Sequence, residues 1–231
     1  MHQYAPQLQQ DHQYSKRSVA QLLSTSRFER HGKFVWYDIG VGWYPVSAGI
    51  KPYDRAYFER YQRQANTDIG RALMQSRVDF VARHYDGFLC DVGIGSGAFI
   101  SLRGNACGYD VCPVAIEWLK KRNLLLDPYR IPMPAISLWD VLEHIPDFWR
   151  LLRNVEQWLF VSMPIFTDAR HALRSKHFRP DEHCWYYSRD GLVQMMRCLG
   201  FHLVEENDSE TKLGREDIGS FAFKKERDKW N

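Results

Sequence analysis

Phe88 to Ile100 reads FLCDVGIGSGAFI, and no other stretch narrows the choice of fold as sharply. The apolar run Phe88, Leu89, Cys90 has the composition of a strand buried on both faces. Gly93, Gly95 and Gly97 would spoil any regular element, so they form a tight turn behind that strand. Glycine there allows positive φ and lets a ligand or another backbone approach where a Cβ would collide. Ala98, Phe99 and Ile100 resume an apolar pattern and predict the start of a short helix. Strand, glycine turn, helix is the layout in which free N–H groups at a helix N-terminus receive a nucleotide-like ligand.

Downstream the pattern alternates. Strands are expected at 88–92, 106–110, 135–139 and 158–163, with a weaker one at 129–133. Between them lie PVAIEWLKKR (113–122), with proline in a first-turn position, and a helical stretch within 146–156. The alternation predicts an α/β domain with a doubly wound parallel sheet and right-handed crossovers. Ser188 offers an N-cap and Gly200 a stop for an amphipathic helix. FHLVEEN (201–207) and GSFAFKKE (219–226) predict an antiparallel end pair.

Upstream, Tyr53 to Tyr85 carries Tyr57, Phe58, Tyr61, Ile69, Leu73, Val78 and Val81 at near-helical spacing and predicts one or two helices. KFVWYDIGVGWYPV (33–46) is read either as a hairpin or as a turn-rich aromatic plug. Residues 1–27 are expected to form a poorly ordered or loosely docked arm. The chain divides accordingly into an N-terminal extension, 1–77, and a binding domain, 78–231.

A net charge of +3 over 231 residues neither demands nor excludes a nucleic-acid partner. Cysteines 90, 107, 112, 184 and 198 are odd in number and lack a Cys-x-x-Cys pair. They predict free thiols in a reducing compartment rather than zinc or a disulfide framework. No apolar run approaches the ~18 residues of a membrane span, and MHQYAPQLQQDHQYSKRS lacks a signal-peptide core. A cytoplasmic protein without a membrane partner is expected.

Two acidic residues frame the glycine turn. Asp91 precedes the first glycine by two positions, and Asp110 ends the next apolar stretch, ACGYD. The spacing is one residue tighter than the G-x-G-x-x-G of a dinucleotide site. An aspartate after the second strand lies beside the turn, placed to accept both ribose hydroxyls of an adenosine. Either feature alone reads as an ordinary turn; the ordered set points to a nucleoside-containing cofactor.

DVGIGSG, GYDV and LWDVLEHIPD, in this order, resemble the class I S-adenosylmethionine-dependent methyltransferases over roughly residues 78–225. HFRPDEHCWYYSRDGL (177–192) is similar to a segment of the branch that carries D-V-L-E-H. The resemblance implies a Rossmann-like sheet of seven mainly parallel strands, order 3-2-1-4-5-7-6, with an antiparallel last strand. It implies S-adenosyl-L-methionine as cofactor and methyl transfer to an O, N or C nucleophile of a small molecule or nucleotide. Cofactor contacts are implied for Asp91, Gly93, Gly95, Ser96, Gly97, Asp110, Val111, Trp139 and Asp140. Rival readings are a catalytically silent cofactor-binding subunit and a nucleic-acid modification enzyme using the same cofactor.

The sequence also departs from the family. Only 13 steps separate Gly97 from Asp110, which shortens the first crossover helix, and only Asp127 is offered near the adenine. Residues 138–141 read LWDV instead of the aromatic-proline signature of exocyclic amino methylation.

Asp140, Glu143 and His144 in DVLEHIPD share one side of a turn. Three uses stay open: hydrogen bonds from Asp140 and His144 to loop backbone, a general base at His144 or Glu143, or a divalent metal held with a distant histidine. The last resembles E-x-x-E-H in some relatives, with a shorter acid in first place. No metal is expected, because a charged methyl donor requires no Lewis acid. Segment 171–187, with His171, His177, His183, Trp185 and Tyr186, is expected to be a lid, His183 and Trp185 facing the methyl group. Ordinary core under a long loop is the alternative. The catalytic candidates are His144, Glu143 and His183.

Overall fold

The computed structural model describes residues 18–45 and 53–226. Residues 1–17 of the expected arm, and Val46 of the aromatic segment, lie outside the described residues. The remainder of the arm includes a helix, α1 (18–25), whose Val19, Leu22 and Leu23 pack on the central core. This part of the arm is docked. Strands β1 (Phe28–His31), β2 (Phe34–Tyr37) and β3 (Val41–Trp43) form an antiparallel meander. The segment is both hairpin and plug, since Phe34 and Trp36 bury in a cluster with Phe166 and Tyr186. Helices α2 (Arg55–Ala65) and α3 (Asp68–Ala82) follow, N-capped by the side chains of Asp54 and Thr67.

The α/β part then runs β4 (Leu89–Val92), α4 (Ala98–Arg103), β5 (Ala106–Tyr109), α5 (Pro113–Lys120) and β6 (Met133–Trp139). A 3-10 turn (Leu142–His144), α6 (Trp149–Leu152), β7 (Val155–Pro164) and α7 (Ala169–Arg174) come next. The chain ends with β8 (Trp185–Tyr187), α8 (Arg189–Cys198), β9 (Phe201–Asn207), α9 (Ser209–Lys212) and β10 (Ile218–Lys225). The main sheet has the order β5-β4-β6-β7-β10-β9. Its β5, β4, β6 and β7 are parallel, and β10 runs antiparallel between β7 and β9. β4 is buried throughout, with Leu89 in one core cluster and Cys90 and Val92 in the other. The strand starts at Leu89; Phe88 is half-exposed.

The class is as the sequence implies, but among the described residues the main sheet has six strands. Of the expected strand 129–133, residues 129–132 form none, and Met133 opens β6 instead. Where a third strand would flank β5 there is a single parallel bridge, Gly108 to Leu125. Pro128 precedes the expected strand and Pro132 lies within it, and each lacks the N–H a ladder needs. The short first crossover is real: α4 has six residues.

The lid expectation is overturned. β8 pairs antiparallel with β3, completing a second sheet of order β1-β2-β3-β8. Trp185 is buried, its ring 4.5 Å from that of Trp43 and 5.6 Å from that of Phe148. Its indole N–H donates to the carbonyls of Ile145 and Pro146. Strand pairing satisfies the backbone here and turns the aromatic inward, so Trp185 is core. Trp185→Ala should therefore lower stability by ~3–5 kcal/mol, the cost of a truncated core aromatic, measured by urea denaturation. A change below 1 kcal/mol would return the residue to a mobile cover.

Candidate functional site

The carboxyl ends of β4, β5 and β6 open onto a cavity of about 930 Å³. The glycine turn forms its floor, with φ of +75° at Gly93, +54° at Gly95 and +76° at Gly97. These glycines serve different ends. A Cβ on Gly93 would collide with the Val141 side chain, and one on Gly97 would meet the Trp118 ring at 2.6 Å. A Cβ on Gly95 would meet only Tyr61, at 3.4 Å. Gly95 is thus bare toward the cavity. Gly97 caps α4, and Gly93, Gly95 and Ser96 line the cavity.

Asp91 is 1% exposed, and the Ser137 hydroxyl donates to it at 2.6 Å. Burial raises its pKa to about 7, against the pull of Ser137 and Arg77. Asp110 accepts from the Cys112 N–H at 2.7 Å, and the amides of Ile94, Val111 and Gly95 also favour its charged form. Burial nonetheless raises its pKa. Asp110 therefore organises the glycine turn as well as facing the cavity with Val111 and Trp139. Asp127 is elsewhere, capping Tyr129 N–H and pairing with Arg130. Tyr109 and Tyr129 line the wall instead, 5.6 Å apart.

Asp140 closes β6 with φ +58°. Its carboxylate pairs with Arg77 at 3.1 Å and Arg215 at 2.9 Å, and Glu210 pairs with the same two arginines. Burial would raise the Asp140 carboxyl, but Arg215 and Arg77 outweigh it and hold it below its usual value. Asp140 lines the cavity, and its carboxylate binds arginines rather than loop backbone, one of the three uses the sequence leaves open. Arg77, Glu210 and Arg215 carried no motif in the sequence.

Past Asp140, the 3-10 turn presents Glu143 and His144. His144 lines the cavity, and its Nδ1–H donates to the Glu182 carbonyl at 3.0 Å. Glu143 (3% exposed) and His183 (4%) lie behind the wall. Among the described residues, neither carboxylate oxygen of Glu143 has a hydrogen-bond partner. The imidazoles of His144 and His183 meet edge to face at 4.5 Å. Burial pushes Glu143 well up, with Asp140 adding to the effect. Burial lowers His144, and burial together with His144 takes His183 down to about 3, so both rings are neutral near pH 7.

The sequence reading missed the opposite wall. Tyr53, Tyr57 and Tyr61 line the cavity in a row, with ring centroids 5.0 and 4.7 Å apart. Burial raises the pKa of Tyr53 and Tyr57. Their four-residue spacing was the available signal.

Residues 58–206 match a family model described as a methyltransferase domain. No curated protein sequence matches at a significant level. Magnesium protoporphyrin IX methyltransferase of Synechocystis PCC 6803, solved with bound S-adenosylhomocysteine, is similar in structure at a TM-score of 0.56 and 15% identity, covering 75% of this chain and 96% of that one. A possible histamine N-methyltransferase of Thermotoga maritima gives 0.53 and 15%, over 74% and 97%. Burkholderia thailandensis 1,6-didemethyltoxoflavin-N1-methyltransferase gives 0.50 and 14%, over 85% and 100%.

Gly95→Val should abolish binding of S-adenosylmethionine in calorimetry. Its stability loss should stay near the ~1–2 kcal/mol that a left-handed backbone costs an L-residue. Gly97→Val, which strikes Trp118, should destabilise more. Equal unfolding by both would reassign Gly95 to packing.

Proposed function

The chain belongs to the methyltransferase-domain family, and from that premise we propose that it methylates a small, planar acceptor held against the tyrosine row of α2. The cofactor is S-adenosyl-L-methionine. One observation carries the proposal: a single cavity runs from the glycine turn and Asp110 to Tyr53, Tyr57, Tyr61 and His144. Its ~930 Å³ is near the upper end of the ~300–1,000 Å³ usual for ligand sites, giving donor and acceptor room together.

The residues present fit this cofactor. Gly95 would let the backbone approach it, Asp91 would hold its methionine end, and Asp110 would hold its ribose. When bound, the cofactor supplies a methyl group already activated by its sulfonium. The protein's share is to hold both reactants in line. The N-terminal extension, 1–77, supplies the tyrosines on the acceptor side, and 78–231 holds the donor. Aromatic stacking worth ~1–3 kcal/mol per planar group sets acceptor affinity. Where the acceptor must lose a proton, His144 is the catalytic candidate on the cavity wall. Its Nδ1–H bond to Glu182 leaves the Nε2 lone pair free. Two structural relatives are named for small-molecule acceptors, a magnesium porphyrin and a toxoflavin precursor.

A crossed pair of variants tests the division. Asp110→Ala should weaken the donor by about 1.5–3 kcal/mol, roughly ten- to 150-fold by calorimetry. Tyr57→Ala should leave donor affinity within about twofold while raising the KM of any acceptor found in a tritiated-methyl screen of planar metabolites. Equal loss of donor in both variants would refute a separate acceptor wall.

Asp91 gives a pH signature. Its raised pKa keeps the proton on the free protein below about pH 7, and a neutral carboxyl attracts the cofactor's ammonium group less. Donor affinity should therefore fall from pH 8 to pH 6, and the slope should vanish in Asp91→Asn. For folding the sign is opposite: the folded form holds the proton more tightly, so Asp91's contribution to stability declines from about pH 4 to about pH 7. Calorimetry and melting across that range check both.

A further inference from the structure

We propose that Glu143, His144 and His183 form a site for one divalent transition-metal ion, of which Zn²⁺ is the best fit, at the edge of the acceptor cavity. The carboxylate oxygen and imidazole nitrogens of the three residues lie within 4.8 Å of one another. Donors around a tetrahedral ion with ~2.1 Å bonds stand about 3.4 Å apart, so a modest contraction closes the set.

A second observation is independent of that spacing. Glu143 is 3% exposed, and both its oxygens lack a hydrogen-bond partner among the described residues. A buried carboxylate left unpaired is costly, and a cation between it and the two imidazoles would satisfy it. His144 is prepared as a ligand. Its Nδ1–H donates to the Glu182 carbonyl, the outer bond that usually orients a metal-bound histidine and leaves Nε2 to coordinate. The nearest arginines are already paired, Arg179 with Glu182, and Arg215 with Asp140 and Glu210. Asp140, the first acid of the DxxEH pattern, is held by Arg77 and Arg215 and is not a donor.

Two histidines and one carboxylate leave a coordination position open, and His144 reaches the cavity wall. The acceptor group favoured there is an oxygen, a phenol or hydroxyl able to bind the ion. This deepens the methyltransferase reading, resting on it for the ion's role but not for its binding. With His144 Nε2 holding the ion, the ion in place of that imidazole would favour the acceptor's deprotonated form.

The test uses the full chain, stripped with chelator and dialysed. Zn²⁺ titrated in calorimetry should bind at one equivalent, and Co²⁺ should give the visible absorption of a low-coordinate site. Glu143→Gln should weaken Zn²⁺ more than about tenfold while S-adenosylmethionine still binds. His183→Gln, with the same expectation, carries the test should the first variant misfold. Wild-type protein that binds S-adenosylmethionine but no stoichiometric Zn²⁺ overturns the metal site and leaves the methyltransferase reading standing. So does Zn²⁺ binding unchanged in both variants, which would place the ion on other residues.

Discussion

The site depends on the ion pairs that hold Asp140. This residue ends β6 in a left-handed conformation, which aspartate tolerates better than most residues but still at a cost of roughly 1 kcal/mol or more. Arg77 and Arg215 grip its carboxylate, and its N–H donates to the Ser162 carbonyl at 2.8 Å. The turn so fixed sends the chain in two useful directions at once. Val141 lies directly on Gly93, supporting the glycine turn, and the next residues carry His144 to the cavity wall and Glu143 behind it. One strained residue therefore sets the relation between donor floor and polar end.

The grip itself is a closed quartet of two arginines and two acids, Arg77, Asp140, Glu210 and Arg215. Its charges balance, yet buried ion pairs of this kind often add little net stability over a well-packed apolar core. Its value here is geometric. It ties α3, the end of β6, α9 and the residues before β10 around the Trp139 ring, over which the Arg77 guanidinium lies at 5.1 Å. The trio of Glu143, His144 and His183 is the reverse case. It combines two neutral imidazoles with a carboxylate that has no hydrogen-bond partner among the described residues.

Local chemistry made the donor side legible in the sequence. A glycine turn behind a buried strand, with Asp91 before it and Asp110 after the next strand, states its own geometry, because backbone conformation and strand order follow from neighbouring residues. Ser188 and Gly200 likewise bounded α8 from nearby residues alone. What failed were inferences needing partners distant in sequence. Trp185 looked like a lid because nothing near it announces its pairing with Trp43, which is more than 140 residues away. Arg77 and Glu210 carried no signal in the sequence, since each other, Asp140 and Arg215 become their partners only across the fold. Residues 129–133 read as a strand on composition, while Pro128 and Pro132 withheld donors a strand would need, and only Met133 is in one.

The N-terminal meander reaches the site through one residue. The Cys184 carbonyl accepts from the Tyr44 N–H at 2.9 Å, while its own N–H donates to the Glu143 carbonyl at 2.9 Å. Cys184 is thereby stitched between the end of the hairpin and the 3-10 turn, immediately before β8. His183 precedes it and has no freedom to choose another position, so its approach to His144 is fixed by β3 pairing with β8. The second sheet, although far from the glycine turn, determines where the third member of the trio stands. Loss of that strand pairing would separate His183 from Glu143 and His144 without touching any residue of the cavity wall.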